Sequence, residues 1–206
     1  MASMRLILAS ASPSRLRLLR AAGIDPEVVV SAVDEDQMLE QMPDASPQEV
    51  AVVLAQAKAR DVAVRHPGWL VLGADSVLDV DGRSLGKPLT AQVAVARWRE
   101  LRGRSAELIT GHCLIHADGE TVAAARTRVH FAQPDDAEID AYVATGEPLH
   151  VAGGFTLDGY GSAFVQGVEG DPANVIGLGI PLLRQMIRDA GLNWTDLWNH
   201  TPVTMS

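Results

Sequence analysis

The chain has 206 residues, 47% of them hydrophobic and 21% charged, with a formal net charge of −9 and an isoelectric point near 5.0. That acidic balance excludes a general nucleic-acid or anionic-membrane binder, and aromatics at 4% are too sparse for a base-stacking platform. Cys113 is the only cysteine, which excludes an internal disulfide framework.

The length suits one domain spanning residues 1–206, or two closely joined lobes. No run approaches the ~20 apolar residues a bilayer-crossing helix needs. Residues 1–9 carry no charged-then-apolar leader, so the expected location is cytoplasmic.

In chain order, residues 5–9 (RLILA) read as an opening strand that runs directly into a helix. Ser12 suits the N-cap and Pro13 the first helical position, and Gly23 ends the helix. A strand feeding a helix N-terminus gathers free backbone N–H groups and the positive dipole end, which together attract anions. Ser10 and Ser12 add hydroxyls, and Arg15 adds a guanidinium able to grip phosphate bidentately. By itself this segment reads better as a plain capped helix with a solvated arginine. Residues 27–31 read as a second strand, and residues 34–36 (DED) as a solvated acidic loop that binds a hard cation only beside further oxygen ligands. Ser46 and Glu49 form a capping-box start for a helix to about residue 65, with Val50, Val53, Leu54 and Ala57 as its buried face. Lys58 falls on the border of that face.

Residues 70–88 (LVLGADSVLDVDGRSLGKP) organise the rest. The apolar run 70–72 has the character of a strand buried on both faces. Gly73 and Ala74 remove bulk just before Asp75, which is expected at the strand's end, facing a cleft. Asp81-Gly82 is a hairpin turn, and Lys87 lies beyond the return strand, where it can converge with Asp75. A phosphate loop fails here, with three residues between Gly82 and Gly86 and Pro88 after the lysine. A calcium loop fails because its end ligands fall on Val77 and Pro88. On this stretch alone, a solvated surface hairpin and a catalytic one stand level.

Further on, Thr90 caps a helix to about residue 101, strands cover 107–115 and the return to Phe131, and residues 134–136 head a helix that stops at Gly146. His112, His116 and His130 form no metal spacing and read as structural. Residues 151–179 are glycine-rich, with a short strand at 162–168, and Pro181 and Gly191 bound a last helix. The tail from Asn193 is expected to be loosely held, with Trp194, Leu197 and Trp198 as its docking side chains. The fold class is α/β: a mixed, elongated β-sheet with flanking helices.

Residues 6–15 (LILASASPSR), 33–35 (VDE), 54–59 (LAQAKA), 73–75 (GAD), 82–88 (GRSLGKP), 101–104 (LRGR), 110–111 (TG), 142–154 (YVATGEPLHVAGG) and 170–178 (GDPANVIGL) form an ordered set of motifs. Together they resemble the Maf family of nucleoside triphosphate pyrophosphatases. Each is weak alone; their ordered combination is specific. The resemblance implies two lobes around a central cleft, as in Maf and ITPase-like folds. It implies hydrolysis of a nucleoside triphosphate to monophosphate and pyrophosphate with a divalent cation, Mg²⁺ or Mn²⁺, in house-cleaning of nucleotide pools. By position, Asp75 matches the proton acceptor and Glu35 an acid handling metal and water, so both are metal candidates. Ser10, Arg15, Lys58 and Lys87 match the phosphate-facing set, joined by Ser12.

Three positions leave the patterns known in the family. Ser14, Ser76 and Asp158 stand where members acting on dTTP and UTP carry Arg, Thr and Gln, and where 7-methyl-GTP-selective members carry Trp, Gln and Glu. Base preference stays open between these, and a non-catalytic cell-division regulator is the rival of another class. The expected partner is a nucleoside triphosphate, with neither nucleic acid nor membrane, and a homodimer is left open.

Overall fold

A computed structural model describes residues 5–199. Strand β1 (Leu6–Leu8) pairs in parallel with the two-residue edge strand β2 (Glu27–Val28) and with β3 (Leu70–Val80), and helix α1 (Pro13–Ala21) links β1 to β2. The second strand is thus shorter than the sequence suggests, and its residues are exposed. Between β2 and β3 lie α2 (Glu35–Glu40) and α3 (Pro47–Ala63). Residues 34–36 are therefore not a loop. The Asp34 carboxylate accepts the Gln37 N–H at 3.0 Å, capping α2, and Glu35 and Asp36 occupy the first turn. Acidic residues are favoured there by the helix dipole.

Strand β4 (Arg83–Leu85) returns on β3, and α4 (Ala91–Leu101) leads to the long antiparallel strands β5 (Ser105–His116) and β6 (Gly119–Phe131). Asp81 and Gly82 both have positive φ, 52° and 82°, as the expected tight turn requires. Helix α5 (Asp136–Ala144), β7 (Val165–Glu169), α6 (Pro172–Ile176) and α7 (Ile180–Asp189) complete the order. Residues 160–164 form a 3₁₀ turn instead of opening the strand, so β7 begins later than the sequence suggests. The sheet order is β2-β1-β3-β5-β6-β7, with β4 on the free side of β3. Residues 193–199 lie against this body, with Leu197 buried and the Asn199 N–H bonded to the Gly23 carbonyl.

Two features of this sheet build the site. The first is the contact with α3. A Cβ on Gly73 would lie 2.2 Å from the Ala55 carbonyl oxygen, and one on Gly111 would lie 2.3 Å from that of Ala51. Helix and sheet therefore touch backbone to backbone, through Ala51, Ala55 and Ala59. This rotates α3 from the expected face: Ala51, Ala55, Lys58 and Ala59 are buried, while Val53 and Ala57 are half-buried.

The second feature is a notch in the sheet edge. β1 accompanies β3 only as far as Leu72, whose carbonyl accepts the Ala9 N–H, and β4 joins β3 only from Leu78. Across residues 73–77 that edge carries no strand among the described residues. Asp75 is therefore mid-strand, not at its end as the sequence suggests. β3 continues through it because Asp75 pairs with Gly111 on the other edge. One apolar cluster flanks the notch at β1, α1 and α7 (Leu8, Leu19, Leu72, Leu183), and another at α4, α5 and β6 (Leu78, Trp98, Phe131, Tyr142). These are the two lobes, and the notch is the cleft between them.

Candidate active site

Alternation along β3 sends neighbouring side chains to opposite faces. Val71, Gly73, Asp75 and Val77 face α3, while Leu72 and Ala74 face α1 and α7. Asp75 and Ser76 thus stand back to back in the notch, and each gathers its own partners.

On the α3 face, Lys58 is 6% exposed, so it does not snorkel to water. Its Nζ donates to Asp75 Oδ1 at 2.6 Å and lies 2.8 Å from Glu35 Oε1. Met38 packs α2 onto the cluster of Val50, Ala51 and Leu54, which brings Glu35 over the lysine. One ammonium therefore lies between two carboxylates contributed by α2 and β3. Asp75 Oδ2 and Glu35 Oε2 have no hydrogen-bond partner among the described residues.

On the opposite face, Arg15 is 9% exposed. Its Nε donates to the Gly177 carbonyl at 2.8 Å, and its two terminal nitrogens donate to Ser10 Oγ and Ser76 Oγ at 3.0 Å each. All three acceptors are neutral, and no carboxylate of the described residues forms an ion pair with it. Burial pulls the Arg15 pKa down from its usual value while the charges of Asp75 and Glu35 pull it up. A guanidinium keeps its proton throughout. Three of its five N–H groups are used, so a buried cation with donors to spare faces the notch.

The Ser76 hydroxyl is fixed by proton count. Thr110 Oγ1 spends its proton on the Asn174 carbonyl at 3.2 Å, so across the 2.9 Å contact Ser76 donates to Thr110. Its lone pairs are thereby turned to Arg15. Ser12 caps α1 through Arg15 N–H and donates its own N–H to Ser10 Oγ, so its hydroxyl serves the cap.

The backbone adds donors as well. Leu70 N–H and Leu72 C=O both bond toward β1, so even-numbered β3 residues turn their amides to that edge. At Ala74 and Ser76 the same edge lies in the notch, where no described residue pairs with them.

Ser10, Arg15, Glu35, Lys58, Asp75 and Ser76 are therefore brought together. Lys87 is not: it is exposed and forms no ion pair or hydrogen bond among the described residues. Ser14 and Asp158 instead share Arg17, whose NH2 donates to Ser14 Oγ at 3.2 Å and to Asp158 Oδ2 at 2.6 Å. That pair joins α1 to the 155–164 segment at the mouth of the notch.

Thr110, Asn174 and Arg17 escape a reading by residue type. Thr110-Gly111 inside an apolar strand was the available signal, since Gly111 admits α3 and Thr110 supports Ser76. His112 is buried and structural, as expected: Nδ1–H donates to the Thr110 carbonyl and Nε2 accepts the Gly179 N–H, both at 3.0 Å. Burial, aided by the nearby Arg15 charge, pushes its pKa down to about 4.

The folded state therefore binds this proton less readily than the unfolded chain, whose histidine titrates at 6.5. Stability is expected to fall as pH drops from about 6.5 toward about 4, by up to ~1.4 kcal/mol per pH unit. Urea unfolding at pH 7 and pH 5 should show the loss in the wild type and a much flatter profile in His112→Gln.

A family model described as Maf-like protein matches residues 5–190. A nucleoside triphosphate pyrophosphatase of Nocardia farcinica is 53% identical over 205 residues, covering 95% of this chain and 97% of that one. One of Streptomyces coelicolor is 54% identical over 198 residues, covering 94% of each. A solved nucleoside-triphosphatase / dITP/XTP pyrophosphatase from Mycobacterium abscessus is 19% identical over 91% of this chain and 98% of that one, with a TM-score of 0.39, a likeness too loose to carry weight. On the matched family model and the extent of these identities, the chain belongs to the Maf family.

Proposed function

We propose that the chain hydrolyses nucleoside triphosphates between the α- and β-phosphates, releasing monophosphate and pyrophosphate. The observation that carries this is the notch. It holds a buried guanidinium with no carboxylate partner among the described residues and, through the strand, an ammonium between two carboxylates. Relatives named for this activity share the chain almost end to end.

Cleaving a phosphoanhydride asks the protein for neutralised oxygens, an oriented water and little covalent chemistry. Arg15, with the amides of Ala74 and Ser76 and the Ser10 hydroxyl, receives phosphate oxygens. Lys58 supplies the second positive charge. Asp75 Oδ2, unengaged beside it, accepts the attacking water's proton. Lys87 is the cation we assign to the outer phosphates: it is exposed and lies two residues beyond β4, the strand that pairs with the notch edge of β3.

A divalent cation, Mg²⁺ or Mn²⁺, fits the donor set. Glu35 and Asp75 offer two hard carboxylates with one unengaged oxygen each. Among the described residues no group of three or more His, Cys, Asp and Glu could hold a metal. One or two carboxylates completed by substrate phosphates is the usual Mg²⁺ arrangement. When bound, the ion neutralises charge developing on the bridging oxygens.

The substrate is a free nucleotide, since a net charge of −9 disfavours nucleic acid. No described helix is long and apolar enough to cross a membrane, and we place the chain in the cytoplasm.

The test is pyrophosphate release across canonical ribo- and deoxyribonucleoside triphosphates and 7-methyl-GTP, with Mg²⁺ or Mn²⁺. Turnover of at least one, matched by monophosphate, supports the reading. No turnover of any, or release of diphosphate and phosphate, contradicts it.

A further inference from the structure

Glu147 lies outside the notch, in the 3₁₀ turn Glu147–His150 that follows α5. Its carboxylate nonetheless accepts four hydrogen bonds, three from one loop and one from Tyr142 of α5. Oε1 accepts the Thr156 hydroxyl, the Gly161 N–H at 2.9 Å and the Tyr142 hydroxyl at 3.0 Å, while Oε2 accepts the Tyr160 N–H at 2.9 Å. Burial raises the Glu147 pKa, but the four donors outweigh it and the net shift is downward, favouring the ionised form.

The packing agrees with the hydrogen bonds. A Cβ on Gly159 would lie 2.2 Å from Glu147 Oε2, and one on Gly161 would lie 2.6 Å from the Tyr142 hydroxyl. These glycines let the chain close over the carboxylate. Both feet of the segment 156–161 are thus tied to a single side chain. Phe155 and Phe164 anchor its ends in the Trp98 cluster. At the tip stands Asp158, whose Oδ2 meets Arg17 of α1 at 2.6 Å.

We propose that Glu147 is a positioning residue for base selectivity: by clamping both feet of this loop, it fixes Asp158 and Arg17 at the mouth of the notch, beside the nucleobase of the bound triphosphate. The proposal rests on the triphosphatase reading above. With the phosphates held at Arg15 and Lys58, the nucleoside extends outward to this rim. Glu147 bonds only to Tyr142, Thr156, Tyr160 and Gly161 among the described residues. It is not one of the groups assigned to phosphate or water, so its loss acts on the ranking of substrates rather than on the chemical step. A loop tip that is free to move presents Asp158 equally poorly to every base.

The experiment uses Glu147→Gln, which keeps size but turns an amide NH₂ toward at least one of four donors. Amide hydrogen exchange in the segment 156–161 is expected to speed up, with the rest of the chain unchanged. The kcat/KM ratio between best and worst triphosphates is expected to shrink ~10-fold, through KM, while kcat for the best stays within about 3-fold. Thr156→Val, which removes one donor, should shift both readouts less in the same direction, and Thr156→Ser should restore them. Unchanged exchange and unchanged ranking with an active wild type would overturn the proposal. An equal loss for all triphosphates that follows a lowered Tm would also overturn it, reducing Glu147 to a structural role. A wild type that turns over no triphosphate overturns the functional reading itself, and base selectivity with it.

Discussion

Lys58→Met is expected to lower kcat/KM for triphosphate hydrolysis by about 10³-fold. Nζ lies within 2.8 Å of carboxylate oxygens on both α2 and β3, so its removal takes away a positive charge and leaves Glu35 and Asp75 facing each other. Removing one preorganised donor to a developing oxyanion costs ~10²–10³, and the unbalanced acids repel the incoming polyanion as well. Breaking a buried pair also costs stability, typically ~3–5 kcal/mol, though Glu35 keeps enough exposure to turn to water. Turnover must therefore be corrected for the folded fraction. Lys58→Gln, which retains a donor without the charge, separates the two effects. It should recover Tm more than it recovers activity. A Met variant within about 5-fold of wild type after correction would remove Lys58 from the chemistry.

Much of this site was legible in the chain because each part obeys a local rule. The Ser12–Pro13 start of α1, the Ser46–Glu49 capping box and the Asp81-Gly82 turn are short-range statements, and the structure keeps all three. What the sequence could not show depends on where long-range partners stop. Asp75 looked like the end of a strand because Gly73 and Ala74 dilute the apolar run. In the fold the strand continues and its neighbours end, so the cleft is a gap between β1 and β4 rather than a strand terminus. Lys58 looked like a border residue because its helix was read by apolar periodicity. The alanine contacts at Gly73 and Gly111 rotate that helix and bury the lysine. Residues 34–36 looked like solvated loop, since a six-residue helix carries too few apolar positions to announce itself. Arg17 and Glu147 were unmarked for a similar reason. Each is an ordinary surface charge until a distant loop closes on it.

Asp75→Asn tests the central claim most directly. Asparagine keeps the shape of the side chain and an acceptor for Lys58, and the strand pairing of residue 75 with Gly111 is untouched. Lys58 retains Glu35 as its counter-ion, so the cluster stays charge-balanced enough to fold. The amide cannot take the water's proton, and loss of a general base typically costs ~10²–10⁴ in rate. The carboxylate is also one of two candidate metal donors, so the Mg²⁺ concentration giving half-maximal rate should rise. The measurement is pyrophosphate release and melting temperature, side by side, for wild type and variant. The prediction is a turnover at least ~10² below wild type with a Tm within a few degrees. Turnover within a few-fold of wild type at an unchanged Tm would contradict the assignment of the notch as the active site.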